Sequence, residues 1–475
     1  MFPSQDTISR PSTPSLTRSG LGWAGNLLAL AGAAILVVSP STTLSALSLV
    51  LLVAGLALRP AFGLVLLGAA LPFYLHPKQF GSMVFSLPEL ILLSNLLGAA
   101  LYALVRWSRG ARRSMATLAT PVDGPIALFL AAALLSLLAS ELLRVSLRDL
   151  RTLVLEPVAA YYLAVWFLRS RRDLVQVVIG LLLGGAMVAL YGLFQYVVTD
   201  QVTAVEGVRR IQGSYLSPNH LGLYLGRLIP MSLALTLFLW TARRSDPGIV
   251  PGARAASAIL TVLLAAALLL TFSVGAWLAT AIAVLAVVLL WRPRAGLLLA
   301  GGYAAFLAAG VPLLSLERFS SHLTLTRGTS FIRIHLWESS LQMIRDHPLL
   351  GVGMDNFLYY YRSSYLLPEA AAEPNLSHPH NLVLNFWLQM GILGVAAAAW
   401  VAVALGRLWT RCWRTHLAPL DRALLAGVAG SAVDLVAHGM VDNSYFLVDL
   451  AFHFWLCAGV VAVLGTALSP RGRIE

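Results

Sequence analysis

The sequence predicts an all-α, polytopic membrane protein of about fourteen transmembrane helices with one long, partly helical extracytoplasmic loop. Three observations carry this. Hydrophobic residues make up 58% of the 475 residues and charged residues only 11%. A soluble domain carries roughly 25% charge, so no water-soluble fold hides this much apolar surface. The apolar residues come in blocks of about 17 to 25 separated by short polar breaks, the length that crosses a bilayer core of about 30 Å. Stretches such as 255–272 are apolar on every side, without the period-two alternation of a barrel strand, so their backbone groups must be satisfied inside a helix.

Taken in order, residues 1–20, with Arg10 and Arg18 among Ser, Thr and Pro, read as a disordered cytoplasmic tail. A cleaved signal peptide is the competing reading; the long polar lead and the want of a small-residue cleavage site count against it. The N-terminal transmembrane unit, 21–198, holds expected spans near 22–38, 43–58, 61–75, 88–106, 124–139, 150–168 and 173–198. The central unit, 199–315, opens with a short outer loop, 199–217, and holds spans near 218–241, 255–272, 274–291 and 296–315. A long outer loop, 316–380, precedes the C-terminal unit, 381–475, with spans near 381–406, 422–438 and 446–467.

Charge orients these spans. With both termini cytoplasmic, Arg59, Arg106 to Arg113, Arg169 to Arg172, Arg243 to Arg254, Arg292, Arg294, Arg407 to Arg422, Arg471 and Arg473 all fall inside, and 21 of the 33 basic residues lie there. The positive-inside rule asks for this bias. The net charge of +12 is thereby explained by topology, and scattered basic residues argue against a nucleic-acid partner. Cys412 and Cys457, in an expected cytoplasmic loop and an expected span, have neither disulfide context nor metal-site spacing.

Seven arginines break the rule. Arg209, Arg210, Arg318, Arg327, Arg333, Arg345 and Arg362 sit in the two outer loops, which implies an anionic ligand on the outer face. Within the long loop, Ile334 to Asp346 places Ile334, Trp337, Leu341 and Ile344 near one helical face, an amphipathic helix expected to lie on the outer leaflet and to stop at Pro348 and Gly351. Tyr359, Tyr360, Tyr361 and Tyr365 follow, either to stack on sugar rings or to form an interfacial aromatic belt.

The sharpest chemical signal is Ser377-His378-Pro379-His380-Asn381, at the junction of the long loop and a span. A neutral imidazole there is suited to take a proton from a hydroxyl, a role assigned mainly to His380. Two histidines without a third ligand make no closed metal site, so no metal or other cofactor is expected. The second signal is Arg209-Arg210 with Gly213-Ser214-Tyr215 and Pro218-Asn219. Arginine gives bidentate donors to phosphate, and a glycine turn lets backbone N–H groups approach the same anion; an ordinary juxtamembrane charge pair is the plainer reading. Arg333 is a third phosphate ligand by the same logic. Glu156 and Arg227 are intramembrane charges that either contact substrate or pair with each other or with Arg151. His438 and Asp442 are placed for a supporting role. Candidate substrate-binding residues are thus His378, Arg209, Tyr215, Asn219, Arg227, Trp337, Asn381 and Glu156. No Asp-x-Asp pair, phosphate loop or nucleotide-binding pattern accompanies them, which disfavours nucleotide-driven chemistry.

Three stretches resemble the O-antigen ligase and polymerase superfamily of bacterial membrane glycosyltransferases. Arg210-Ile-Gln-Gly-Ser-Tyr-Leu-Ser-Pro-Asn219 is similar to the family's Arg-x-x-Gly-(Ser/Thr)-(aromatic)…Pro-Asn segment. Arg333-Ile-His-Leu-Trp337 with Asp346-His-Pro-Leu-Leu-Gly-Val-Gly353 is similar to Arg-x-x-x-Trp…Pro-x-x-Gly-x-Gly. His380-Asn381 with Gln389-Met-Gly-Ile-Leu-Gly394 is similar to His-Asn…Gly-x-x-Gly. The resemblance covers about residues 205 to 400 and implies a GT-C-type fold in the bacterial cytoplasmic membrane. It implies a polyprenyl-diphosphate-linked glycan donor, such as undecaprenyl diphosphate carries, and metal-independent transfer with His380 as general base and Arg210 and Arg333 as diphosphate ligands. One departure stands out. Relatives often carry Ser-Arg-Gly where this chain has Ser273-Val274-Gly275, so Arg227 or another group must substitute or donor handling differs.

The expected reaction is an inverting displacement at the anomeric carbon, with one base and no carboxylate nucleophile. The acceptor, whether lipid, glycan or protein, separates O-antigen ligase from polymerase and protein O-oligosaccharyltransferase and is not written in these motifs. A lipid-linked glycan flippase is the rival from another class; it calls for internal repeats and midplane charges, whereas the charges here cluster in outer loops.

Overall fold

The computed structural model describes residues 15–110, 119–199, 202–205, 208–242, 252–310, 329–415 and 417–467. Most of the expected tail and the basic residues Arg10, Arg112, Arg113, Arg243, Arg244, Arg318, Arg327, Arg471 and Arg473 lie outside them. The chain is an all-α membrane protein. Helices α1 (Ser15–Val38), α2 (Thr42–Leu58), α3 (Pro60–Ala70), α4 (Leu87–Ser108), α5 (Asp123–Ser136), α6 (Leu143–Asp149), α7 (Glu156–Phe167) and α8 (Arg171–Phe194) make the N-terminal unit. A π-helical turn, Leu150–Leu155, joins α6 to α7. Next come α9 (Pro218–Thr241), α10 (Ala253–Leu270), α11 (Val274–Trp291) and α12 (Pro293–Gly310). The C-terminal part holds α13 (Thr329–Asp346), α14 (Leu382–Trp413), α15 (Pro419–Gly439) and α16 (Val448–Ala467).

Each expected span is helical over most of its described residues; 311–315 of the span near 296–315 lie outside them. Among the described residues nine helices are long and apolar enough to cross a membrane, and Thr42–Leu58, Pro60–Phe73 and Asp123–Ala139 are shorter apolar helices. Helices α12 and α15 belong to neither group; α15 carries Asp421, Arg422 and Asp434 along its length. Helix α1 starts at Ser15, so the last six residues of the expected tail already belong to it. Two small hairpins join the helices, β1 (Lys78–Phe80) with β2 (Met83–Phe85) and β3 (Thr203–Val205) with β4 (Val208–Arg210). Cys412 and Cys457 are both free and buried, and α14 extends past the expected end of its span to include Cys412.

The long loop is where the sequence reading needs correcting. Helix α13 presents Leu336, Met343 and Ile344 to a small core of its own with Val352, Phe357, Tyr361 and Leu388. Leu341, expected on the face toward the outer leaflet, is 47% exposed. The loop's own core thus takes up part of the helix's apolar surface. Tyr361 is fully buried in that core, so it is neither a sugar platform nor part of a belt, while the Tyr365 hydroxyl donates to Asp346 at 2.8 Å. Tyr359 stays exposed.

Two of the signature stretches meet in space. Gly391 breaks the helical path of α14 with φ 64° and ψ −167°, a conformation open to glycine at no steric cost. The break frees backbone groups that the Pro348–Val352 segment takes up. Val352 N–H donates to Leu388 O at 2.8 Å, and Ile392 N–H donates to Pro348 O at 3.3 Å. Just beyond, the Asn356 amide accepts from Leu142 N–H at 3.0 Å and donates to Ser146 Oγ at 2.7 Å, which ties the loop to α6. The loop is thereby anchored at both sides, and the histidines that follow inherit a fixed position.

Candidate active site

The site assembles where the long loop, the α15–α16 turn and the start of α9 come together. His380 stands just before α14, whose first turn is capped by Asn381; its side-chain oxygen accepts from Val383 N–H and Leu384 N–H at 3.0 and 3.2 Å. The Trp337 indole N–H donates to Pro379 O at 2.9 Å, so α13 holds the His-Pro-His segment down. His380 adopts a left-handed backbone with φ 50°, a strained state for a side-chain-bearing residue that persists only where the surroundings over-determine it.

What over-determines it is Asp442. His380 Nδ1 lies 2.8 Å from Asp442 Oδ1, and the same oxygen accepts from Asn443 N–H at 2.8 Å. His378 Nε2 is 3.7 Å from that oxygen, and the two imidazole rings are 4.2 Å apart. Burial alone would raise the Asp442 carboxyl, but hydrogen bonds and charge from the two imidazoles hold it well below the usual carboxylate range. Burial lowers the His378 imidazole, against the opposing pull of Asp442. Asp442 also corrects the expectation that the histidines have no third ligand partner: one ligand atom from each of His378, His380 and Asp442 lies within 4.8 Å of the others. Sequence separation of some sixty residues hid it.

The shift of His378 has a stability consequence. Its lowered folded value means that the folded chain binds fewer protons than the unfolded chain below the ordinary value of about 6.5. The stability held by neutral His378 is fully present above that value and drains away as pH falls through the window beneath it. Between about pH 7.5 and pH 5 the melting temperature of the wild type should therefore drop more steeply than that of His378→Gln. Parallel slopes in a thermal-shift titration would refute this.

Arg210 ends strand β4 and is held in place from two directions. Its Nε donates to Thr271 O at 2.7 Å, beyond the end of α10, and Nη2 donates to Asn219 Oδ1 at 2.7 Å in the first turn of α9. Neighbouring strand residues point to opposite faces, and Arg209 accordingly turns away, donating to Tyr196 O at 2.8 Å with its guanidinium 4.9 Å from the Tyr196 ring. Gly213 does form the expected turn, with φ 61°. Its N–H, however, donates to Gln195 Oε1 at 3.0 Å, so Gln195 occupies the donor that an anion was expected to meet. Arg333 lies within electrostatic reach of the His438 ring at the end of α15.

The intramembrane charges resolve into structural pairs. Arg227 donates to Ser431 O at 3.1 Å and Ser444 O at 2.6 Å, and its Nε is 3.7 Å from Asp434. It therefore braces the turn that carries Asp442 from below. Glu156 lies 3.7 Å from Arg151, which also bonds Glu89 at 2.6 Å; its partners belong to α4 and the π turn and not to the histidine cluster. Arg227 pairs with Asp434 in place of Glu156. The Ser273-Val274-Gly275 segment borders the cluster: a Cβ at Gly275 would stand 3.5 Å from His438 Nε2, while Val274 is half-exposed.

Sequence reasoning missed two residues. His220 Nε2 lies 3.2 Å from Asp449 Oδ1, and the Tyr215 hydroxyl donates to Asp449 Oδ2 at 2.8 Å. The available signal was a histidine directly after Pro218-Asn219 at a helix start, and an acidic residue in the first turn of an otherwise apolar span.

Fold and site together define a polytopic membrane protein whose loops converge on a histidine–carboxylate centre. Residues 259–399 match the family model described as O-antigen ligase, which supports the resemblance to the O-antigen ligase superfamily and, at that level, a glycosyl-transferring bacterial membrane enzyme that works on polysaccharide. The matched stretch contains Arg333, His378, His380 and the Gly391 break; Arg210 and Asp442 lie outside it. No curated protein matches the chain.

Proposed function

We propose that this protein transfers a glycan from a polyprenyl-diphosphate carrier to an acceptor hydroxyl on the outer face of the cytoplasmic membrane, as an O-antigen ligase does. The observation that carries the reading is the 2.8 Å bond between His380 Nδ1 and Asp442. With Nδ1–H committed to the carboxylate, the lone pair sits on Nε2, the tautomer a general base needs, and the carboxylate stabilises the imidazolium that forms. The acceptor oxygen loses its proton to Nε2 as it bonds to the anomeric carbon. The bond from that carbon to the diphosphate oxygen breaks, and its electron pair leaves with the diphosphate. Arg210, held by two hydrogen bonds, and Arg333 supply positive charge where this negative charge develops. Diphosphate is a good leaving group, so positioning, a base for the acceptor and these cations carry much of the transfer.

The test is reconstitution. The full chain in proteoliposomes, given a defined polyprenyl-diphosphate-linked glycan with lipid, glycan and protein acceptors in separate reactions, should form a product whose new linkage is inverted at the anomeric carbon. The acceptor that reacts distinguishes ligase from polymerase and protein glycosylation. A retained configuration, or no transfer to any acceptor, would sink the mechanism.

A further inference from the structure

A second imidazole–carboxylate pair stands beside the first, and the reaction above does not use it. His220 belongs to the first turn of α9, directly after Asn219, whose side chain receives Arg210. Its Nε2 is 3.2 Å from Asp449 Oδ1 in the first turn of α16. Asp449 is wholly buried, and its other oxygen is taken by the Tyr215 hydroxyl at 2.8 Å. The Tyr215 ring stacks on the imidazole with centroids 4.2 Å apart. Ring position and ring orientation are thus both fixed, and the His220 side chain keeps 12% of its surface accessible.

Placement gives the pair a direction. His220 is within electrostatic reach of His378, whose ring is 4.2 Å from His380. Three imidazoles therefore lie between two buried carboxylates, Asp442 at the acceptor base and Asp449 at the Arg210 anchor. A base is needed at one end of a displacement and a proton at the other. Pairs of titratable groups set in differing surroundings are how one centre supplies both.

We propose that His220 is a further catalytic residue of this centre, the acid that protonates the departing diphosphate. The inference rests on the glycosyl-transfer reading. Asp449 holds Nε2–H, and the imidazolium gives its Nδ1 proton to the phosphoryl oxygen that receives the electron pair of the breaking bond. His380 takes one proton from the acceptor, His220 gives one to the leaving group, and each ring then re-equilibrates with water. The titratable groups around the His220–Asp449 pair are Tyr215 from the preceding turn, Tyr224 from α9, Tyr74 after α3 with its ring 5.9 Å from His220, and His378 from the long loop.

The experiment is the pH profile of kcat for the full chain in proteoliposomes at saturating polyprenyl-diphosphate-linked glycan, over about pH 5.5 to 9.5. The wild type is expected to give a bell with an alkaline limb. His220→Gln keeps an N–H for Asp449 but cannot carry a proton; kcat should fall about 100-fold or more, and the alkaline limb should vanish. His220→Lys keeps a cation, so it should regain part of the rate and move the limb to higher pH. A rate for His220→Gln within about threefold of wild type, or a limb that survives the substitution, overturns the proposal. A wild-type profile flat to the alkaline end overturns it too, whatever the variants' folding, which melting temperature monitors. Transfer that His380→Gln abolishes and His220→Gln leaves intact defeats this inference alone; no transfer by the wild type defeats the functional reading with it.

Discussion

Asp442→Asn is expected to slow glycan transfer by about 10²- to 10⁴-fold, the range a positioned general base contributes, and His380→Ala to slow it by as much. The substitution at 442 is nearly isosteric and keeps an oxygen that can accept from Asn443 N–H, a bond of 2.8 Å in the wild type. What it removes is the charge that fixes His380 with its proton on Nδ1 and that offsets the imidazolium. The amide can equally present its NH₂ to Nδ1, which puts the proton on Nε2 and leaves no lone pair for the acceptor. Because both residues act on one proton, their losses should not add, and the double variant should be little slower than either single one. Single-turnover assays with a saturating lipid-linked donor read the chemical step directly. Full activity in His380→Ala would remove the histidine from the reaction, and full activity in Asp442→Asn would reduce the 2.8 Å bond to scaffolding.

The contrast between these two residues shows what the sequence could disclose. His380 was legible because it belongs to a local signature, His-Asn at the start of an apolar helix, and because chemistry at a loop–helix junction has few residue types to draw on. The transmembrane helices were legible for a similar reason. Hydropathy over some twenty residues is a local property, and among the described residues the expected stretches are largely helical. Asp442 was visible only as a polar turn, since its partner lies 62 positions away. Its role depends on how α15 and α16 close over the long loop, which no local pattern encodes. The same holds for Arg227. An isolated intramembrane arginine reads as a functional residue by default, but the fold gives it two carbonyls and Asp434. Helix α13 shows the same limit: the loop's own core takes up Leu336, Met343 and Ile344, a contact set by how the loop folds back, while Leu341 of the expected leaflet face is exposed.

Arg210→Ala should cost about 10²- to 10³-fold in kcat, the loss typical of a preorganised group that meets developing charge. The prediction turns on rigidity as much as on charge. The guanidinium is held by Thr271 O and Asn219 Oδ1, each at 2.7 Å, so it cannot relax toward solvent as the diphosphate departs and need not reorganise to meet it. Lysine cannot reproduce this, because an ammonium has no planar fork to bond two fixed acceptors and an oxyanion together. Arg210→Lys should therefore recover only a small part of the rate. Asn219→Ala separates placement from charge: the cation remains while one of its two anchors goes, and an intermediate loss is expected. Arg209 provides the comparison within the same strand. Its guanidinium lies on the Tyr196 ring and bonds Tyr196 O, so Arg209→Ala removes an equal charge from the same loop but not from the face that Arg210 shares with Asn219 and His220. If the two arginine variants lose transfer equally, the loop acts through its net charge and the fixed geometry of Arg210 is irrelevant. If Arg210→Ala alone collapses kcat, the position of the guanidinium is what the reaction uses.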